Sequence, residues 1–296
     1  MRYEFMKKHF KEFDVEKMAK VLKVSRSGYY AFIRRPESIR SKDNRRLTDK
    51  IMNLHNASRQ TYGSPRIHAE LKSRGEYCSR KRVARLMRKS NICAKMCKKR
   101  KKFSYMTSKD ASLIAPNHLQ QQFTAASQNK VWVSDITYIP TKEGWLYPCA
   151  FIDIYSRKVV GLSMSSRMDT TLISRALQQA IMHRKPSKGL MHHSDRGSQY
   201  TSTDFKALAF SNDIKLSMSG KGCCYDNAVA ESFFHTLKTE HVNFCSFKTR
   251  EEGVNSLFEY VEVFYNRERR HSTLGYLSPV EFEEMNERKY ECVSAV

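Results

Sequence analysis

Apolar residues recur at helical spacing through the first hundred positions and at strand spacing after about residue 130. In "DVEKMAKVLKVSRSGYYAFI" (14–33), Val15, Met18, Ala19 and Leu22 mark one helix. After a break at 23–25, Tyr29, Tyr30 and Ile33 mark a second. A clearer pair follows. Pro65 suits the first turn of a helix carrying Ile67, Ala69 and Leu71. Gly75 interrupts it, Ser79 is a good N-cap, and Val83, Leu86 and Met87 form the buried stripe of the next helix. Both pairs have a helix-turn-helix outline. Residues 104–128 are polar and weakly periodic, and read as a linker.

The pattern then changes. "VWVSDITYIP" (131–140), "WLYPCAFIDIYS" (145–156) and "KVVGLSMSS" (158–166) read as three strands, with a turn at Glu143-Gly144. Thr170 to His183 reads as a helix, followed by a short strand running into Asp195, a helix over 202–213 and a strand "KLSMS" (215–219). A loop, "GKGCCYDN", leads into the helix "AVAESFFHTLKTEHV", and residues 249–286 look mostly helical. This order predicts an α/β layer architecture, a mixed sheet with flanking helices, behind an all-α region. The expected divisions are an N-terminal helical segment (1–45), a basic helix-turn-helix domain (46–103), the linker (104–128), the α/β core (129–247) and a C-terminal helical extension (248–296).

Charge sharpens the picture. Of 53 Lys and Arg against 30 Asp and Glu, residues 1–110 hold 32 against 10, while residues 111–296 hold 21 against 20. The first third is therefore built to meet a polyanion, most simply nucleic acid, and the rest is an ordinary globular body. The predicted helix after Ser79 exposes Arg80, Lys81, Arg82, Arg85, Arg88 and Lys89, as a DNA-recognition helix would. The run Lys98, Lys99, Arg100, Lys101, Lys102 extends that surface and suits phosphate contact without base reading. The plain alternative is a solvated cationic face. No apolar run approaches the roughly 18 residues of a membrane span, and the N-terminus lacks an apolar signal core, so a cytoplasmic protein is expected. The eight cysteines match neither a disulfide scaffold nor a tetrahedral zinc pattern.

Three acidic residues stand in unusual places. Asp135 lies mid-strand in "WVSDIT", where a carboxylate is costly unless compensated. Asp195 follows a strand in "HSDRGSQY", and Glu231 sits in the first turn of a helix. Each has a structural reading when taken singly: turn chemistry for Asp195, a favourable charge at a helix N-terminus for Glu231. Together they could converge at one edge of the sheet. Three hard oxygen donors without His or Cys suit Mg²⁺ or Mn²⁺. Two such ions about 4 Å apart hold the attacking and leaving oxygens of a phosphodiester in line. Asp153, also on a strand, is a rival acid.

The stretches "WVSDIT", "HSDRGSQY", "CYDNAVAESFFHTLKTE" and "YNRERRHSTLGYLSPVEF" jointly resemble the second-frame product of IS-three family bacterial transposases. The resemblance covers about residues 46–285 and includes "YGSPRIHAELK". It implies a ribonuclease H-like fold related to retroviral integrases and a DDE active site. Asp195 and Glu231 are separated by 35 residues, as in that group's D-x(35)-E signature, and Lys238 lies seven residues beyond Glu231. By the resemblance, Asp135 bridges both ions, Asp195 and Glu231 complete one site each, and Lys238 contacts DNA near the scissile phosphate. Lys238 falls near the Glu231 face of its helix, about 10.5 Å along.

The implied activity is metal-dependent DNA strand cleavage and strand transfer, acting on the element's terminal inverted repeats and on target DNA. Pairing two ends implies a homo-oligomer, and an upstream-frame product is an implied fusion or partner. The alternatives are a DNA-binding regulator with an inactive core and a ribonuclease H-type nuclease. Asp226-Asn227 reads as helix capping, and Gly220 and Gly222 as a turn or a moving loop. Arg267, Arg269, Arg270 and His271 are expected either to meet DNA ends or a neighbouring subunit, or to be solvated.

Overall fold

The computed structural model of the chain describes residues 1–95, 114–220 and 223–294. The basic run Lys98–Lys102 lies outside the described residues.

The N-terminal region forms two three-helix units. In the first, α1 (Arg2–Lys8), α2 (Val15–Val21) and α3 (Arg26–Arg34) close on Met6, Met18, Ala19 and Tyr29. Asp14 and Ser25 cap α2 and α3 by accepting the backbone N–H groups of Glu16 and Gly28. In the second, α4 (Ile39–Ala57), α5 (Ser64–Ser73) and α6 (Arg80–Lys89) bury Leu47, Ile51, Leu54, Ile67, Leu71, Val83, Leu86 and Met87. Ser79 caps α6 through the Arg82 N–H at 3.2 Å. The apolar pattern predicts the last two helices of each unit; α1 and α4 are additional. Leu47, Ile51 and Leu54 do lie at helical spacing, but in α4 they are a thin stripe on an otherwise polar helix.

The rest is a sheet flanked by helices. The strands are β1 (Val131–Ile136), β2 (Ile139–Thr141), β3 (Gly144–Asp153), β4 (Val159–Ser165), β5 (Met191–Ser194) and β6 (Lys215–Met218). β3 pairs antiparallel with β1, β2 and β4, whereas β1, β5 and β6 run parallel. The order is β2-β3-β1-β5-β6, with β4 also on β3. Between β4 and β5 lies α7 (Thr170–Arg184), and between β5 and β6 lies α8 (Thr203–Ser211). After β6 come α9 (Ala228–Glu240), α10 (Arg250–Glu259) with a π-helical continuation Tyr260–Glu268, and α11 (Pro279–Ser294).

Strand alternation sorts the core into two faces. Trp132, Ile136, Phe151 and Val160 pack with Leu172, Ile173 and Leu177 of α7 and Phe205 of α8. Val133, Ala150 and Ile152 pack on the other face with Ala230, Phe233, Phe234 and Leu237 of α9. Asp135 shares Val133's side of the strand, so the period-2 rule turns it toward α9. On the α7 face, a Cβ at Gly161 would lie 2.2 Å from the Ala176 carbonyl oxygen and 2.9 Å from the Ala180 Cβ. Gly161→Ala is therefore expected to lower stability by about 1–3 kcal/mol, measurable as an earlier denaturant midpoint with an unchanged slope.

The described part of the expected linker, 114–128, is laid against the core. Leu119 is buried, Pro116 accepts the Met218 N–H, and the His118 N–H donates to Ser217 Oγ at 2.9 Å. This covers part of the β6 edge. At the other side, the β3–β4 register shifts between Phe151 and Ile152, so that Ile152 pairs with Val159. The Asn266 amide bonds the backbone at that point, accepting the Val159 N–H at 2.9 Å and donating to its carbonyl at 3.0 Å.

Two expectations change here. Asp153 is not a rival catalytic acid. It is wholly buried at the end of β3 that pairs with Trp132, away from Asp135. There it accepts the Asn129 and Tyr155 N–H groups and faces Arg184. Arg269, Arg270 and His271 are neither solvated nor presented outward: all three are buried, and both arginines are ion-paired within the chain.

Candidate active site

The site grows from the carboxyl ends of two neighbouring parallel strands. β1 and β5 run side by side, with Val133 opposite His193. Asp135 follows two residues later on β1, and Asp195 is the first residue beyond β5. Ligands of open α/β sheets collect at such strand ends. Glu231, fourth residue of α9, is exposed in the first turn of the helix that packs on Asp135's side of the sheet.

Asp135 senses both other acids. Asp135 is pushed up to about 8, by burial first, then by the Asp195 carboxylate and by Glu231, against the Ile136 N–H and Lys238. Burial also raises Asp195, against the Gly197 N–H that its Oδ1 accepts at 2.9 Å. Like charges held together in apolar surroundings resist ionisation, and a divalent cation relieves that strain. Among the described residues, no three His, Cys, Asp or Glu side chains are drawn to metal-ligand spacing. The carboxylates share one region rather than a closed cage. Their chemistry, all hard oxygen, fits Mg²⁺ or Mn²⁺.

Lys238 is not an ordinary surface lysine. It is half-buried, with Nζ 4.6 Å from the centroid of the Tyr138 ring. Burial holds its ammonium below the usual lysine range, and the Asp135 carboxylate pulls the other way.

The pair Asp226-Asn227, expected to cap α9, does not do so through its side chains. Asn227 makes no side-chain capping bond. Its Nδ2 donates instead to the Ser134 carbonyl at 3.0 Å, tying the start of the Glu231 helix to the strand beside Asp135. Asp226 is buried and accepts from the Gly220 N–H, Asn117 Nδ2 and Gln121 Nε2 at 2.8, 2.9 and 3.1 Å. The sequence signal was the "DN" pair ahead of Glu231; its long-range partners had no local trace.

On α6, Arg80, Lys81, Arg85, Arg88 and Lys89 are exposed. At 100° per residue, Lys81, Arg85, Arg88 and Lys89 fall within an arc of about 100° opposite the buried stripe. Arg82 leaves the expected set. Its guanidinium is bound to Asp43 Oδ2 at 2.7 Å and Asn44 Oδ1 at 2.8 Å, so it joins α6 to α4.

Comparison with known proteins accords with this arrangement. Residues 125–224 match the family described as integrase core domain, residues 231–286 match a second family of the same description, and residues 42–101 match an HTH-like domain. The insertion element IS600 31 kDa protein of Shigella sonnei is 42% identical over 268 residues, 90% of this chain and 97% of that one. Transposase InsF for insertion sequence IS3A of Escherichia coli K12 is 41% identical over 288 residues, 97% of this chain and 99% of that one. Among solved structures, the HTLV-2 integrase catalytic core in complex with magnesium is similar at 17% identity over 54% of this chain and 99% of that one, with a TM-score of 0.43. Among the described residues, no helix is long and apolar enough to cross a membrane. Identity of this order along nearly the whole length, on an integrase-like mixed sheet behind a helix-turn-helix-like region, places the chain in the IS3 (IS-three) family as an insertion-sequence transposase, an enzyme of the polynucleotidyl transferase type.

Proposed function

We propose that this transposase cuts DNA at the terminal inverted repeats of its own element and joins the freed 3′-OH to a target phosphate, with Asp135, Asp195 and Glu231 as its reactive centre. The observation that carries this is that Asp135 and Asp195 stand at the carboxyl ends of the paired strands β1 and β5, on the side of the sheet against which the helix bearing Glu231 packs. Asp135, Asp195 and Glu231 would hold two Mg²⁺ or Mn²⁺ ions, which would supply activation of the attacking oxygen and stabilisation of the departing one. Each step is a single in-line displacement, so no residue need become covalently attached. Lys238, held on Tyr138 beside Asp135, offers its ammonium to the phosphate backbone next to the cut. Joining two ends requires at least a dimer, and the upstream-frame product is a partner or fusion in that assembly. The chain acts where its DNA lies, in the cytoplasm at the nucleoid.

The test is incubation of the full chain with labelled duplex carrying the terminal repeats of its element and Mn²⁺ or Mg²⁺. Strand joining supports this reading. Binding without chemistry supports a regulator with an inactive core, and cutting without joining supports a nuclease.

The α6 face gives a second measurement. Replacing Lys81, Arg85, Arg88 and Lys89 together by Ala is expected to weaken duplex binding and to flatten its salt dependence, by about 0.9 in log–log slope for each phosphate no longer neutralised. Arg82→Ala should leave that slope unchanged and lower thermal stability instead, because its partners are Asp43 and Asn44. An equal slope change in the two proteins would remove α6 from the DNA interface.

A further inference from the structure

We infer that the α4–α6 unit is keyed in register to the catalytic helix α9, and that this docking selects which phosphate is cut. The inference rests on the reading above of α6 as the DNA-contacting helix and of α9 as the carrier of Glu231.

Glu240 is the last residue of α9, nine residues after Glu231 and two after Lys238. Its carboxylate receives Arg66 of α5 at 3.0 Å and a two-point contact from Arg269 at 2.6 and 2.7 Å, with the Tyr260 hydroxyl at 3.2 Å. One turn along α5, Glu70 receives the Arg270 guanidinium, which also reaches Ser73 Oγ at 2.9 Å. The Arg270 backbone N–H donates to the Tyr62 hydroxyl at 2.7 Å. These charges are sequestered: side-chain exposure is 5% for Arg269 and 11% for both Glu240 and Arg270.

Burial of ion pairs is a poor source of net stability, because desolvation offsets most of the attraction. Cohesion here is already supplied by the apolar cluster, which runs without a break from Leu47, Ile67 and Val83 to Phe233, Tyr260 and Tyr265. Apolar contact is non-directional and does not fix register. The charges do. α5 presents Arg66 and then Glu70 one turn later, and they meet Glu240 and Arg270 in that order. A slip of one turn, about 5.4 Å, sets Arg66 against Arg270 or Glu70 against Glu240. The alternation of sign thus penalises the neighbouring registers. Since α6 packs on α5, the cationic face and the acidic site are held at one offset, and DNA bound by the first meets the second at one phosphate.

The test maps cut positions at single-nucleotide resolution on an end-labelled terminal-repeat duplex, using the full chain with Mn²⁺. The wild type is expected to cut at one phosphate. Arg66→Ala, which leaves Glu240 paired with Arg269, and Arg66→Ala with Glu70→Gln should spread the cuts over neighbouring phosphates while duplex affinity stays within about twofold. The exchange Glu70→Arg with Arg270→Glu restores opposite charges and should return cutting to one position. Thermal melts of each variant show that the chain remains folded. Single-position cutting by the Arg66 variants, at whatever rate, would overturn the inference, as would equally scattered cutting by the exchanged pair. A wild type that binds the duplex and cuts nowhere would remove the proposed reactive centre and this inference with it.

Discussion

Glu231→Gln is expected to reduce cleavage and joining at least about 10³-fold, or ~4 kcal/mol of transition-state stabilisation, while binding to the terminal repeat is retained. The substitution keeps the shape of the side chain and removes its charge. Glu231 is exposed in the first turn of α9, so neither packing nor folding depends on that charge beyond a helix-terminus contribution of about 0.3–1 kcal/mol. Asp135→Asn and Asp195→Asn should lose chemistry to the same extent. They should differ in stability: burial raises both groups, so their neutral amides relieve a desolvation cost that the carboxylates bear in the absence of a cation. A thermal melt without metal is expected to show these two variants at or above the wild type, and Mn²⁺ should raise the wild type alone. Retained strand joining in any one of the three would break the assignment of that residue.

The largest effect on folding is expected at the other end of the same helix. Glu240→Ala leaves Arg269, 5% exposed, without its carboxylate. Breaking a buried pair in this way costs about 3–5 kcal/mol, which for a chain of this size lowers the midpoint by roughly 10 °C. The pH dependence has a definite sign. Burial opposes ionisation of Glu240, but the hydrogen bonds and charges of Arg269 and Arg66 outweigh it and hold its pKa below the ordinary carboxylate value. A group with a depressed folded pKa stabilises fully above its unfolded pKa, and that contribution fades as pH falls through the folded value. The advantage of the wild type over Glu240→Gln should therefore be complete at neutral pH and shrink on acidification below the usual carboxylate range. A gap between the two melting curves that stays constant from pH 7 to pH 3 would contradict this. The prediction is separable from the first, since Glu240 contacts no proposed reactive group.

Much of this fold is local in origin. The strand expected over 131–140 is divided into β1 and β2; the other strands over 131–219 and the helices α7, α8 and α9 begin and end within a few residues of where alternation, turns and caps place them. Asp14, Ser25, Ser79 and Asp169 each cap the helix that follows them, a short-range bond legible in the chain. Asp135 was legible because a carboxylate among apolar strand residues conflicts with its surroundings; Asp195 and Glu231 stood out only beside it and through the D-x(35)-E spacing. That Asp135 and Asp195 share a side of the sheet follows from period-2 alternation, once the order of the strands is known.

The remainder was decided by pairing across distance. Arg82 and Arg85 look alike along α6, yet only Arg82 finds Asp43 and Asn44, because α4 crosses at that point. Asn227 carries no local mark of its bond to the Ser134 carbonyl, nor Arg270 of Glu70, 200 residues away. The sequence by itself determined most of the elements and where the acidic and basic residues fall along them, since propensity, capping and apolar period act over a few residues. The tertiary structure alone decided which charges face DNA and which face one another, because the energy of a charge is set by what surrounds it, and those surroundings come from remote parts of the chain.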